Sequence, residues 1–94
     1  MSAYRITEFT SPDMAKAVEY CETIRDDVAA AGAESIDVVS LGDGKGMVVA
    51  KYATQAIMDA AMDANKTAFG KMVAAGAIDG ASISGQSGDV VFSF

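Results

Sequence analysis

The sequence contains no histidine and no tryptophan, and it has one cysteine and one proline. Without histidine, the chain lacks the usual base at neutral pH, the partner that activates a serine or cysteine, and a proximal haem ligand. Cys21 has no second cysteine for an internal disulfide, and one cysteine without histidine supplies too few ligands for zinc. These absences exclude the commonest hydrolase, haem and zinc sites, and we expect no cofactor.

Basic residues are also scarce, since 7 lysines and arginines face 13 aspartates and glutamates, giving a net charge of −6. This charge repels the phosphates of nucleic acids and anionic lipid headgroups. No hydrophobic run approaches the roughly 18 residues that cross a bilayer. The opening segment MSAYRITEF lacks the basic and apolar regions of a secretory signal. We therefore expect a cytoplasmic protein that binds neither nucleic acid nor membranes.

The residues that are present form a globular composition, with 51% hydrophobic and 21% charged. A length of 94 residues fits a single domain over residues 1–94 and is too short for two. A core of this size gives little stability on its own, so self-association is expected.

The hydrophobic pattern predicts secondary structure in the order β-α-β-β-α-β. The first helix is predicted to begin at a Ser11 cap followed by Pro12 and to end at Gly32, and the second to begin at Thr54 and end at Gly76. Strands are predicted over residues 4–9, 36–41 and 47–53, with a hairpin turn at residues 42–46 between the last two. A final strand is predicted in two pieces, 81–85 and 90–94, interrupted by a bulge or turn at residues 86–88.

A weak internal repeat supports this order. A shift of 44 positions lays residues 30–33 on residues 74–77, and both segments read Ala-Ala-Gly-Ala. Two similar β-α-β halves interleave as a split pair, which gives a ferredoxin-like α+β sandwich. The predicted sheet is antiparallel with strand order 4-1-3-2, and both helices cover one face.

The opposite face of that sheet is expected to be apolar as well. The pattern assigns to the helix side Tyr4, Ile6, Val48 and Ala50, and to the other side Phe9, Met47 and Val49. An exposed apolar face normally marks an interface, and a twofold homodimer that packs sheet against sheet is the simplest closed solution.

The layout of these elements resembles a known superfamily. The Ser11-Pro12 helix start, the hairpin, the helix that ends in Ala-Ala-Gly at 74–76, and the Ile-Ser-Gly strand at 83–85 are similar to the antibiotic-biosynthesis-monooxygenase-like proteins of the dimeric α+β barrel superfamily. The resemblance implies a barrel-like dimer in which residues 90–94 contact the partner. Its members include cofactor-free oxygenases, haem-degrading enzymes, isomerases and proteins without known activity. The absence of histidine argues against haem degradation.

Two cations are the first candidates for a binding site. Arg5 and Lys51 are predicted on the same, non-helix face of neighbouring strands, where they would attract a carboxylate or an enolate-like ligand. The alternative is that both lie at the sheet margin and reach solvent, or pair with an acid of the other subunit.

Polar residues within apolar stretches are the second group of candidates. Cys21 and Asn65 take equivalent positions in the two halves, and a buried asparagine needs hydrogen-bond partners, so Asn65 is predicted to line a small cavity between helices and sheet. The alternative is that Cys21 packs as a small hydrophobe and Asn65 bonds to a backbone carbonyl. Tyr4 and Tyr52 are candidate proton donors or ring contacts of a ligand, or else core packing.

The sequence therefore favours a homodimeric α+β barrel of unassigned function that binds a small apolar or carboxylate-bearing molecule. The alternative is a cofactor-independent monooxygenase-like enzyme that acts on a small aromatic or quinone-type substrate. A structural or regulatory interaction module is a third hypothesis.

Overall fold

The computed structural model describes residues 2–94 and confirms the β-α-β-β-α-β order, with each helical region divided in two. The first half comprises β1 (Ala3–Thr10), α1 (Met14–Thr23), α2 (Arg25–Ala29) and β2 (Ser35–Gly42). The second half comprises β3 (Lys45–Tyr52), α3 (Gln55–Ala60), α4 (Met62–Ala74), a 3₁₀ turn (Gly80–Ser82) and β4 (Ser84–Asp89).

The four strands form one antiparallel sheet in the order β2-β3-β1-β4, and the helices lie on one face of it. This arrangement confirms the predicted ferredoxin-like sheet. Between residues 2 and 94, no helix is long and apolar enough to cross a membrane.

The β2–β3 hairpin is confirmed and is tighter than predicted. Its two central residues, Asp43 and Gly44, have φ of +55° and +77°, the left-handed region that a two-residue turn of this kind requires. The Gly44 carbonyl also accepts a 2.7 Å hydrogen bond from the Ser11 backbone amide, which ties the turn to the end of β1. β3 therefore begins at Lys45, two residues earlier than predicted, and β2 ends at Gly42, one residue later than predicted.

The predicted Ser11 helix cap is wrong, and Asp13 caps α1 instead. The Asp13 carboxylate accepts from the Lys16 backbone amide at 3.2 Å. The buried Ser11 hydroxyl donates to the Ala77 carbonyl at 2.6 Å, so it joins β1 to the segment that leads into β4. Thr54, in contrast, caps α3 as predicted, because its hydroxyl accepts from the Ile57 amide.

The faces predicted for β3 are correct, but those predicted for β1 are inverted. Phe9 is buried beneath the helices and pairs with Gly46, whereas Ile6 pairs with Val49 and is 38% exposed on the face without helices. Tyr4 pairs with Lys51 and shares that open face. A slip of one residue moves every side chain of a strand to the other side. We call the face of the sheet that carries no helices the open face.

The final strand differs from the prediction at both ends. β4 runs without interruption through residues 86–88 and pairs in regular register with Ala3–Glu8 of β1. Residues 90–94 form no strand, although the Val90 amide bonds to the Ser2 carbonyl at 2.8 Å. β4 contains no large apolar residue and is held at the edge of the sheet by backbone pairing with β1. A hydrophobic pattern does not reveal a strand of this kind.

Two hydrophobic clusters pack between the sheet and the helices. One contains Phe9, Ala17, Ile24, Met72, Ala77 and Ile78, and the other contains Ala3, Ala50, Tyr52, Met58 and Ala61. Along β1, Arg5 and Thr7 lie between Ala3 of the second cluster and Phe9 of the first. Arg5 and Thr7 therefore line a cavity between the sheet and the helices.

Candidate functional site

A cavity of about 840 Å³ lies between the helices and the covered face of the sheet. Drug-sized and cofactor-sized ligands occupy pockets of roughly 300–1,000 Å³, so the volume suits a small organic molecule. Its walls are mainly apolar, and the helical side includes Cys21, Ile24, Phe69 and Met72. Small side chains leave this space unfilled, because Ala17, Ala68, Gly70, Gly80 and Gly85 all contribute to the lining.

Asn65 provides a polar group in this apolar wall. Its amide nitrogen donates a 2.9 Å hydrogen bond to the Tyr52 hydroxyl, and the Tyr52 side chain is fully buried behind it. Within residues 2–94, the Asn65 amide oxygen accepts no hydrogen bond from a donor. The expectation that Asn65 lines a cavity between helices and sheet agrees with its position, and its role in ligand binding stays a prediction.

Arg5 and Lys51 do not form the predicted pair, because they lie on opposite faces of the sheet. Cross-strand partners share a face, and Arg5 pairs with Ala50 whereas Lys51 pairs with Tyr4. Arg5 is directed into the cavity, while Lys51 lies on the open face with its Nζ 3.9 Å from a Glu34 carboxylate oxygen. The error follows from the inverted phase of β1.

The predicted tyrosines are separated in the same way. Tyr4 lies on the open face beside a shallow recess of about 590 Å³, which is also lined by Lys51 and by part of the segment after β4. Tyr52 lies in the core and reaches the cavity only through its hydrogen bond to Asn65. The structure thus brings Arg5 and Asn65 to one cavity and leaves Tyr4 and Lys51 outside it.

Cys21 lines the cavity as a partly buried thiol. Burial raises its pKa above the ordinary value, and the adjacent Glu22 carboxylate raises it further. The thiol form, which is a weak nucleophile, therefore predominates at neutral pH. Within residues 2–94, no group of three or more acidic or cysteine side chains is arranged to hold a metal ion.

The charged residues at the mouth of the cavity are largely neutralised. Arg25 binds Glu22 at 2.6 Å. The hydrogen bond from Arg25 lowers the pKa of the Glu22 carboxyl, and the positive charge of Arg25 lowers it further. Glu34 lies near Lys51 on the other side of the sheet edge. Lys66 lines the rim and is exposed.

Thr7, Phe69, Ile83 and Gly85 line the cavity and were missed as site residues in the sequence. Phe69 and Ile83 carry no chemical signature that distinguishes a pocket wall from core packing. Gly85 does carry a signal, because a glycine inside a strand often marks a place where another group approaches the backbone closely.

No protein-family model matches the chain, and no curated protein matches it significantly. Solved structures with the same fold were found. The cofactor-independent oxygenase SnoaB from Streptomyces nogalater superposes with a TM-score of 0.76 at 9% identity, with 98% of this chain and 95% of that chain covered. A dimeric ferredoxin-like protein from an uncultured marine organism gives 0.68 at 12% identity, with 99% and 90% covered. A proposed antibiotic biosynthesis monooxygenase from Caulobacter crescentus CB15 gives 0.65 at 20% identity, with 97% and 91% covered.

Identities of this size establish a shared fold and leave activity open. The resemblance inferred from the order of the elements is confirmed at that level. The chain has the ferredoxin-like fold of the antibiotic-biosynthesis-monooxygenase-like proteins.

Proposed function

We propose that the protein is a homodimer that binds a small, mostly apolar molecule in the cavity between helices and sheet of each subunit. The observation that carries this proposal is the 840 Å³ apolar cavity with two polar side chains, Arg5 and Asn65, directed into it. Ligand sites are typically apolar hollows with a few polar groups that fix orientation, and this cavity has that composition.

A cavity-filling variant tests the binding site. Ala68 lines the cavity on α4, whereas Ala64, one turn earlier, is exposed outside it. We expect small aromatic compounds to raise the melting temperature of the wild type and of Ala64→Trp, and to have no such effect on Ala68→Trp. Equal shifts in all three proteins would place binding elsewhere and contradict the proposal.

The open face supports the homodimer. It carries an apolar centre of Ile6, Val39, Met47 and Val49, of which Ile6 is 38% and Val39 39% exposed. Around this centre the strand register places two acids and two lysines, namely Glu8, Asp37, Lys45 and Lys51. This balanced set, in a chain of net charge −6, suits a second copy of the same surface related by a twofold axis.

The segment after β4 is expected to take part in that contact. Val91, Phe92 and Phe94 are 88%, 71% and 117% exposed, and the two rings pack edge to face with centroids 4.9 Å apart. Exposed aromatic residues of this kind are typical interface anchors. A second subunit would cover them together with the open face.

Light scattering on the eluting protein tests the dimer. We expect the wild type and Val18→Lys, which alters an exposed valine on α1, to elute at twice the chain mass. Val49→Lys places a charge at the centre of the open face and should shift the protein to the monomer. A wild-type monomer at high concentration would refute the dimer, and dissociation by Val18→Lys alone would place the interface on the helices.

A cofactor-independent oxygenase is the second candidate. The specific observation in its favour is the amide oxygen of Asn65, which has no hydrogen-bond donor within residues 2–94 and lies at a mainly apolar cavity, where an acceptor can orient a phenolic substrate. The shared fold with a cofactor-independent oxygenase makes the reaction worth testing. Oxygen uptake with a panel of small quinols should then exceed the uncatalysed rate and fall in Asn65→Ala. Uptake equal to the uncatalysed rate across the panel would leave binding without catalysis.

A further inference from the structure

Arg5 is a partly buried cation without a partner. Within residues 2–94, its guanidinium takes part in no ion pair and no hydrogen bond. Two cations of the helices are paired instead, since Arg25 binds Glu22 at 2.6 Å and Lys71 lies 3.6 Å from Asp27. The unpaired guanidinium faces the cavity, where apolar walls surround it.

Gly85 provides the space in which this guanidinium lies. Gly85 pairs with Thr7 across the β1–β4 ladder, so the two residues share the covered face of the sheet. A Cβ atom built on Gly85 would lie 2.7 Å from Arg5 Cζ and would overlap Nη2. Any side chain at position 85 therefore displaces the guanidinium from its present position.

An unpaired guanidinium that lines the cavity can receive an anionic ligand. Within residues 2–94, every fully buried side-chain nitrogen or oxygen has a hydrogen-bond partner, so the unbonded guanidinium nitrogens of Arg5 are accessible. Water and salt screen an ion pair less inside a mainly apolar cavity than at the open surface. The guanidinium has a planar fork of donors that matches a carboxylate through two parallel hydrogen bonds. The chemistry of the site thus selects for a compact anionic group on the ligand.

The remaining charged groups of the lining agree with this selection. Glu34, the acidic residue of the lining, lies near Lys51, and Arg25 is held by Glu22. Lys66 at the rim adds a second positive charge. The cavity is therefore locally positive in a protein of net charge −6.

We propose that the ligand of the cavity is an apolar carboxylate whose anionic end is bound by Arg5, and that Gly85 is a positioning residue for that contact. This proposal rests on the proposed function, because it names the class of molecule that the same cavity binds. Arg5 makes the charged contact, and Gly85 acts only through the position of the guanidinium.

Two probes with one ring system separate the charged contact from binding in general. 2-Naphthoate and 2-naphthalenemethanol differ in whether a carboxylate or an alcohol is attached to the ring. Amide chemical shifts of the full chain give both the dissociation constant and the location of each probe. We expect both to shift residues that line the cavity, such as Phe69 and Ile83, with the acid binding about tenfold more tightly than the alcohol.

Five variants assign that difference to Arg5. Arg5→Met keeps an unbranched apolar side chain and removes the guanidinium, and it should weaken the acid about tenfold while changing the alcohol less than about threefold. Gly85→Ala should weaken the acid in the same way, and the double variant should lose no more than either single one, because both remove one contact. Lys66→Met removes the charge at the rim and should weaken the acid less than Arg5→Met does. The control is Gly88→Ala, whose added Cβ meets no atom within 4 Å and which should leave the ratio of the two probes' affinities unchanged.

The outcomes distinguish the two proposals. If neither probe shifts the cavity residues, the binding function and the anion contact both fail. If both probes bind in the cavity with equal affinity, or if Arg5→Met weakens them equally, the binding function stands and the carboxylate contact is refuted. If the acid is weakened by Lys66→Met and not by Arg5→Met, the anion is bound at the rim, and the assignment to Arg5 is wrong.

Discussion

Substitution of Gly46 by alanine is expected to destabilise the protein through direct overlap with Phe9. Gly46 and Phe9 are cross-strand partners on the covered face, and Phe9 is 3% exposed. A Cβ atom on Gly46 would lie 2.9 Å from Phe9 Cε1 and from Cε2, closer than carbon atoms approach without repulsion. The ring cannot swing into solvent, since it packs in a cluster that includes Met72 and Ile78.

The magnitude follows from two opposing effects. Overpacking a core typically costs about 1–3 kcal/mol, and replacement of glycine by alanine returns roughly 0.4–1 kcal/mol through the unfolded chain. A net loss of about 1–2 kcal/mol should lower the melting temperature by roughly 5–15 °C for a domain of this size. Thermal unfolding at one fixed protein concentration measures it, because self-association makes the melting temperature depend on concentration.

Gly88→Ala is the matched control. Gly88 also lies in a strand paired with β1, but a Cβ atom added at Gly88 meets no atom within 4 Å. The melting temperature of the Gly88→Ala variant should therefore stay within a few degrees of that of the wild type. Equal stability of Gly46→Ala and the wild type would show that Phe9 does not occupy the space above Gly46. The assignment of faces on β1 would then be wrong.

Three further predictions concern the helices and the cavity wall. Gly70→Ala should raise the free energy of unfolding, measured in urea, by about 0.5–1 kcal/mol, because Gly70 lies inside α4 with open space around its Cα. An unchanged midpoint of urea unfolding would contradict helical structure at residue 70. Tyr52→Phe should lower stability by about 1 kcal/mol through loss of the hydrogen bond from Asn65, and a neutral effect would mean that water replaces the hydroxyl. Alkylation of Cys21, measured by intact mass, should be slower at pH 8 than alkylation of free cysteine and should accelerate as the pH rises above 9. The reason is that the raised pKa keeps the thiolate scarce at lower pH. An alkylation rate equal to that of free cysteine would show that the thiol is not partly buried.

The order of strands and helices could be predicted from the sequence because several independent signals coincide. The Thr54 cap, the Asp43-Gly44 turn and the ends of the helical regions at Gly32 and Gly76 are local features, and all of them are read from residues adjacent in the chain. Once six elements are ordered in this way, the split pairing of two β-α-β halves leaves few topologies. The predicted strand order was correct for that reason.

The phase of β1 could not be predicted in the same way. Tyr4 and Ile6 look like core residues. The covered face of β1 instead presents Arg5 and Thr7 to a cavity, and only Ala3 and Phe9 to the core. A strand that lines a pocket departs from the alternation of a fully packed strand, and hydrophobicity then assigns the wrong side. The predicted Arg5–Lys51 pair failed with that assignment.

The contact between Arg5 and Gly85 depends on tertiary structure alone. The two residues are 80 positions apart in the sequence and become neighbours through the β1–β4 ladder. β4 itself has little hydrophobic signal, so its register against β1 was not available from the pattern. A lone amide within an apolar helical stripe requires a polar partner, and for Asn65 this partner is Tyr52. The role of Asn65 in ligand binding stays a prediction.

Titration of the isotopically labelled chain with 2-naphthalenemethanol tests the existence of the binding site most directly, because this probe is neutral and does not depend on Arg5. We predict saturable amide shifts at Cys21, Phe69 and Ile83 around the cavity. Shifts confined to open-face residues such as Ile6 and Val49 would instead show that the cavity between helices and sheet is not a binding site.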